Sequence, residues 1–196
     1  TIYHEHLSYL SLRPLVAFFR RHGREVFDVQ SLRLHGGSFR VFVGRRGRHP
    51  VGARVARCLR DEQAYGLYTD RVLRRFARAV ARKRDDLIWL LRSLKRRGKR
   101  IAGVSAPAKG MTLLNYCRIG RETLDFVTEK SSLKIGRFTP GDHIPVRPDA
   151  ELLRRMPEYA LLLAWNFADE IMTNLQAYRA RGGRFILPVP TPRVCR

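Results

Sequence analysis

The chain has 196 residues, 44% of them hydrophobic, and carries 39 lysines and arginines against 17 aspartates and glutamates, a formal net charge of +22 at pH 7. That length allows one large domain or two small ones with a real core, and the apolar share excludes wholesale disorder. No run is long and apolar enough to span a bilayer and no signal peptide opens the chain, so a cytoplasmic protein without a membrane partner is expected. Cys58, Cys117 and Cys195 are odd in number and lack Cys-x-x-Cys spacing, which argues against a disulfide framework and against a zinc site.

The first six residues, Thr1-Ile2-Tyr3-His4-Glu5-His6, hold the densest set of acid-base groups. They suit the end of a strand spilling into a loop, where catalytic groups on α/β sheets sit. An imidazole titrates near neutrality and can remove a proton, and a carboxylate beside it can orient a substrate hydroxyl or the ring itself. His-Glu-His lacks the four-residue helical spacing of a zinc-protease motif, so no metal is expected there; a capped polar loop is the alternative. A chain opening at Thr1 with such a motif reads as a fragment whose upstream portion is missing.

Residues 11–22 read as a helix, with Ser11 as N-cap, Pro14 in the first turn, Leu15, Val16, Phe18 and Phe19 inward and Gly23 as the stop. Residues 25–34 and 39–43 alternate apolar and polar around His35-Gly36-Gly37-Ser38, which predicts a hairpin. Residues 44–50 are polar and rich in Gly and Arg, a boundary. Residues 55–97 have a helical pattern, broken near Gly66, then capped by Thr69 and stopped at Gly98, with Leu87, Ile88, Leu90, Leu91 and Leu94 as its apolar stripe. Most of the positive charge precedes Lys99, and much of it is on this helix, where Arg74, Arg75, Arg78, Arg82, Lys83 and Arg84 alternate with Val72, Leu73, Phe76 and Val80. A solvated face and a basic nucleic-acid-binding module both fit that pattern. No helix-turn-helix, aromatic RNA-binding strand or Gly-x-x-Gly clamp accompanies it, so no specific nucleic acid is expected as a partner.

From residue 99 strands and helices alternate. A strand over 100–105 leads into the small-residue loop Ala106-Pro107-Ala108-Lys109-Gly110 and a helix starting at Thr112 and ended by Gly120. A helix N-terminus beyond a strand's carboxyl end is a place for an anion, and Lys109 adds a mobile positive charge. Neither glycine fingerprint for phosphates is present, so plain α/β architecture is equally compatible, and close approach by a nicotinamide cofactor is disfavoured by Pro107 and Ala108. A second strand over 124–128 finishes at Glu129, read either as an exposed loop acid or as a ribose ligand. A Gly- and Pro-rich loop follows over 134–145. Then come a buried strand over 159–164, a helix over 166–181 and a last strand over 185–189.

Taken together, Tyr3-His4-Glu5-His6-Leu7-Ser8-Tyr9, His35-Gly36-Gly37-Ser38, Ala106-Pro107-Ala108-Lys109-Gly110, residues 134–145, Ala164-Trp165-Asn166-Phe167-Ala168-Asp169-Glu170-Ile171 and Gly182-Gly183-Arg184-Phe185 resemble the S-adenosylmethionine-dependent sugar C-methyltransferases. The resemblance runs over nearly the whole chain, with Ser105 where a Gly is usual and Met111 where an Asn is usual. It implies an α/β protein in three parts. Residues 1–50 would end a class I methyltransferase sheet as a helix plus antiparallel hairpin, residues 51–98 would be bridging helices, and residues 99–196 a small Rossmann-like, mostly parallel C-terminal domain. The implied substrate is a nucleotide-linked keto-deoxysugar. His6 would be the base, with Tyr3 and Glu5 holding the substrate, Lys109 facing the diphosphate, and Asn115 and Asn166 as further substrate-binding residues. The resemblance places the S-adenosylmethionine site upstream of this chain and zinc only in a missing amino-terminal domain.

Overall fold

A computed structural model describes residues 3–32 and 37–195. The end of the first hairpin strand at Leu34, the turn residues His35 and Gly36, and Thr1 and Ile2 of the opening motif lie outside the described residues. The chain divides into two compact units: one holds His6–Arg78, the other Ala79–Arg196 together with residues 3–5.

In the first unit, helix α1 (Leu12–Arg21) precedes an antiparallel hairpin of β1 (Arg24–Leu32) and β2 (Ser38–Arg45), followed by α2 (Ala53–Tyr65) and the start of α3 (Asp70–Arg96). Leu12, Val26, Val29 and Val55 form its core, with Val16 and Phe19 packed against them. The stripe of α1 is therefore Leu12, Val16 and Phe19, at helical spacing. Phe18, expected inward, falls beside that stripe; it is 50% exposed and its ring lies 4.7 Å from that of His22. At a register shift between Val26 and Asp28, Asp28 takes both nitrogens of an Arg54 fork at the start of α2. Its bonds to Arg54 hold the Asp28 carboxyl below the usual range.

Ser11 occupies the N-cap position of α1, with φ −112° and ψ 169°, but its hydroxyl does not bond the helix. It hydrogen-bonds Tyr68 instead, at 3.0 Å. The first amides of α1, Leu12 and Arg13, donate to the Glu62 carboxylate of α2 at 2.5 and 3.1 Å, and Tyr68 donates to the same carboxylate. A side chain fifty residues away thus does the capping. Glu62→Ala is expected to lower stability by about 1–2 kcal/mol, the usual effect of losing a cap and leaving its donors unmet, and Ser11→Ala by less. Denaturant midpoints of the two variants check this; an equal loss in both would return the cap to Ser11.

The second unit is built on a six-stranded sheet in the order β5-β4-β3-β6-β7-β8. Its strands are β3 (Ile101–Val104), β4 (Val127–Glu129), β5 (Val146–Pro148), β6 (Tyr159–Leu162), β7 (Arg184–Leu187) and β8 (Arg193–Cys195), parallel except for β8 at the edge. Leu87, Leu91 and Leu94 of α3, with Met111 and Leu114 of α4 (Ala108–Cys117), cover one face over Ile101, Val127, Leu161 and Ile186. Leu152 of α5 (Ala150–Arg155), Ala168 of α6 (Ala168–Asn174) and Tyr178 of α7 (Gln176–Ala180) cover the other over Ala102, Val104, Ala160, Leu162 and Phe185. Strands buried on both faces read as apolar runs, which is why β3, β6 and β7 were legible.

Other elements depart from expectation. The helix after β3 begins at Ala108, not Thr112. A glycine inside a first turn costs about 1 kcal/mol in helix propensity, so Lys109-Gly110 read as loop. The helix expected over 166–181 is a 3₁₀ turn (Trp165–Phe167) followed by α6 and α7. β5, α5 and β8 were not anticipated: β5 has one buried residue beside an arginine and a proline, and only pairing with β4 makes it a strand. All three cysteines are free, Cys117 buried. No helix among the described residues is long and apolar enough to cross a membrane.

Candidate functional site at the carboxyl ends of β3 and β6

From β3 the chain runs outward to β4 and β5 on one side and then crosses back to β6 on the other, so the β3–β6 boundary is the switch point of the sheet, where a crevice opens beyond the strand ends. A cleft of about 410 Å³ lies there, bordered by Ser105, Glu129, Asp149, Ala164, Phe167 and Glu170. Ser105 carries the turn at a left-handed φ of 68°. A side chain in that region costs about 1–2 kcal/mol, and the glycine usual in the resembling family has no such cost. Ser105→Gly is expected to stabilise the protein by about 0.5–1 kcal/mol after the larger unfolded-state entropy of glycine is subtracted. A fall in melting temperature would show that the hydroxyl holds the turn.

Two of the sequence-predicted residues meet here. The Lys109 ammonium donates to the side-chain oxygen of Asn166 and lies 5.3 Å from the Trp165 ring centroid and 5.6 Å from that of Phe167. Partial burial lowers the Lys109 pKa from its ordinary value. Phe167 joins this group, and its place beside Trp165-Asn166 in the 164–171 motif is the signal the sequence carries for it.

Glu129 is not an exposed loop acid. Its side chain is 14% exposed, and the carboxylate accepts the amides of Ala106, Lys130 and Ser131 at 3.0, 2.8 and 3.2 Å. Lys134 pairs with it at 3.4 Å while donating to the Ala106 carbonyl at 3.0 Å. Both sides of residue 106 are thereby gripped, and the turn after β3 is held rigid. Burial would raise the Glu129 pKa, but the three amides and the Lys134 charge outweigh it and hold it low. Lys134 lay inside a loop read as irregular, and nothing in its spacing marked it.

Asn115, at the far end of α4, uses its amide nitrogen on the Met111 carbonyl at 2.8 Å and the Pro140 carbonyl at 3.2 Å. A methyl group on Gly141 would fall on its side-chain oxygen, so Asn115 and Gly141 clamp the 134–145 loop to α4. The opening motif is divided between the units. Within the second, His4 Nδ1 lies 3.5 Å from the Thr112 hydroxyl, three residues beyond Lys109, and the Tyr3 and His4 rings meet edge to face at 6.1 Å. Glu5 is exposed. His6, counted with the first unit, is exposed and stands edge-on to Tyr9 at 5.7 Å. Among the described residues no three His, Cys, Asp or Glu side chains gather as a metal-holding group.

Comparison with known proteins gives these features a family. The family model of the C-methyltransferase C-terminal domain matches residues 33–190. The chain is 40% identical to C-methyltransferase NovU of Streptomyces niveus over 195 residues, which is 99% of this chain and 46% of that protein. It therefore spans about half the length of that relative. With most of its residues inside the matched domain, the chain belongs to the C-methyltransferase family and carries that family's C-terminal domain.

Proposed function

We propose that the protein carrying this chain transfers a methyl group to a carbon beside the ketone of a nucleotide-linked keto-deoxysugar. The carrying observation is the contact of His4 with Thr112, which sets the Tyr3-His4-Glu5 segment on α4 close to the Lys109–Asn166 pair.

A carbon next to a ketone is acidic enough for a positioned base to deprotonate. His6 takes that proton, and the electron pair of the broken C–H bond forms a carbon–carbon double bond while the ketone oxygen takes the negative charge, giving an enolate. Tyr3 donates toward the developing oxyanion and Glu5 orients the sugar. Lys109 and Asn166 face the diphosphate, an arrangement in which an arriving anion competes with Asn166 for the ammonium. Asn115 serves the site by holding the neighbouring loop to α4.

S-adenosylmethionine supplies a methyl group on a positively charged sulfur. The turn after β3 does not fit its adenosine: Pro107 and Ala108 stand where close approach needs glycine, and the space beside Gly103 and Gly110 is filled by Leu163 and Val127. We assign the donor to the part of the protein that this chain does not span.

The test separates deprotonation from methyl transfer. Full-length protein, incubated with a thymidine-diphosphate-linked keto-deoxysugar in deuterated water without a methyl donor, is expected to exchange hydrogen at the carbon beside the ketone. Adding S-adenosylmethionine should then yield product heavier by one methyl group at that carbon. Methylation on oxygen or nitrogen, or no exchange at carbon, would overturn the reading.

A further inference from the structure

The part of α3 in the second unit presents Arg84, Ile88, Arg92 and Arg96 at four-residue spacing, a single row along the helix. Between that row and the end of α4 runs an open groove of about 830 Å³, bordered also by Trp89, Tyr116 and Arg118. In a parallel sheet α4 returns the chain to the amino ends of the strands, so this groove is at the opposite edge from the turn that carries Lys109.

The charges in the groove are unequal. Arg84 pairs with Asp85 at 2.8 Å and lies over the Tyr116 ring at 5.7 Å. Among the described residues, the side chains of Arg92, Arg96 and Arg118 form no hydrogen bond and no ion pair within 4 Å. Glu122, the other nearby acid, accepts the Gly120 amide at 3.0 Å and the Thr123 hydroxyl at 2.9 Å on one oxygen; burial would raise its pKa, but these bonds and the charge of Arg92 hold it low, so Arg92 is partly balanced while Arg96 and Arg118 are not. Burial pushes the Cys117 thiol up to about 11, so it stays neutral there. Beside the three guanidiniums, Trp89 is 67% exposed, with no ring partner among the described residues.

We infer that this groove binds a nucleotide, with the base stacked on Trp89 and the phosphates held by Arg92, Arg96 and Arg118. Guanidinium forks match phosphate oxygens two at a time, and an exposed indole is a stacking platform for any base. From Trp89 to Arg96 is roughly 10 Å along the axis at 1.5 Å per residue, the reach of one nucleoside diphosphate. A strand of nucleic acid needs successive free platforms, and here the second ring, Tyr116, already has the Arg84 guanidinium over one face at 5.7 Å. The inference is independent of the methyl-transfer reading and of Lys109.

The test titrates the protein with ADP, inorganic pyrophosphate and a twelve-residue deoxythymidine oligonucleotide, by calorimetry and tryptophan fluorescence. ADP is expected to bind and quench fluorescence. Its affinity should fall about tenfold or more in Trp89→Ala and in the double variant Arg92→Ala, Arg96→Ala. These side chains are exposed, and circular dichroism confirms folding of each variant; Arg92→Lys, Arg96→Lys, which keeps the charge but not the fork, should also weaken ADP. Four results would overturn the inference: no ADP binding; ADP binding lost only in Lys109→Ala; pyrophosphate binding as tightly as ADP with no effect of Trp89→Ala; or binding confined to the oligonucleotide.

Discussion

His6→Asn in the full-length protein is expected to lower turnover by about 10²–10⁴-fold, the range a positioned general base contributes, while sugar-nucleotide affinity changes little. Asparagine keeps the size and hydrogen-bonding character of the position but cannot take up a proton at neutral pH. Hydrogen exchange at the carbon beside the ketone should disappear with it, because that exchange needs the same proton removal and no methyl donor. Tyr3→Phe and Glu5→Gln leave the proposed base in place and should cost less, appearing first in kcat for Tyr3 and in KM for Glu5. Exchange and turnover that both persist in His6→Asn would remove His6 from the base role, and lost binding would make it a substrate-holding residue.

Gly110→Ala is expected to destabilise the protein by about 1 kcal/mol, lowering the melting temperature by about 2–4 °C for a chain of this size. An added methyl would lie 2.8 Å from Leu163 Cβ, 3.1 Å from the Leu163 carbonyl oxygen and 3.3 Å from Pro107 Cδ. Two of these atoms belong to the strand-end backbone or its first side-chain carbon, which cannot rotate aside, so α4 itself must lift from β6. Overpacking of this kind costs about 1–3 kcal/mol, and alanine returns about 1 kcal/mol through helix propensity, so the steric effect wins. Lys109 precedes this residue and moves with the helix. Sugar-nucleotide affinity should therefore fall as well. An unchanged melting temperature would mean that α4 has slack against the sheet and that the turn is not rigidly set.

The turn after β3 illustrates how much of a site a sequence discloses. The motif around Lys109 and the Trp165-Asn166 pair each stood out, because small residues and a lysine between strand and helix have a recognisable chemistry. That Lys109 bonds Asn166, fifty-seven positions away, follows only from β3 and β6 lying side by side. Glu129 was equally visible as a carboxylate at a strand end, but its function as a clasp on residue 106 depends on three amides and Lys134 that converge only on folding. Glu62 shows the same thing in the first unit: Ser11 had the residue type of a cap, and Glu62 had the reach.

By itself the sequence determined the α/β class, the apolar stripe at Leu87, Leu91 and Leu94, the hairpin, and the strands buried on both faces, because hydrophobic periodicity is a local property written into neighbouring residues. It also carried the family, through motifs whose order along the chain is independent of any contact. Tertiary structure alone decided that Val146-Arg147-Pro148 and Arg193-Val194-Cys195 become strands, that the helix at Ala108 absorbs a glycine, and which charges are paired and which stand open. Short edge strands and a helix containing a glycine are too weakly favoured locally to form alone; hydrogen bonds from β4 and β7 and the close fit of Gly110 on Leu163 supply what propensity lacks.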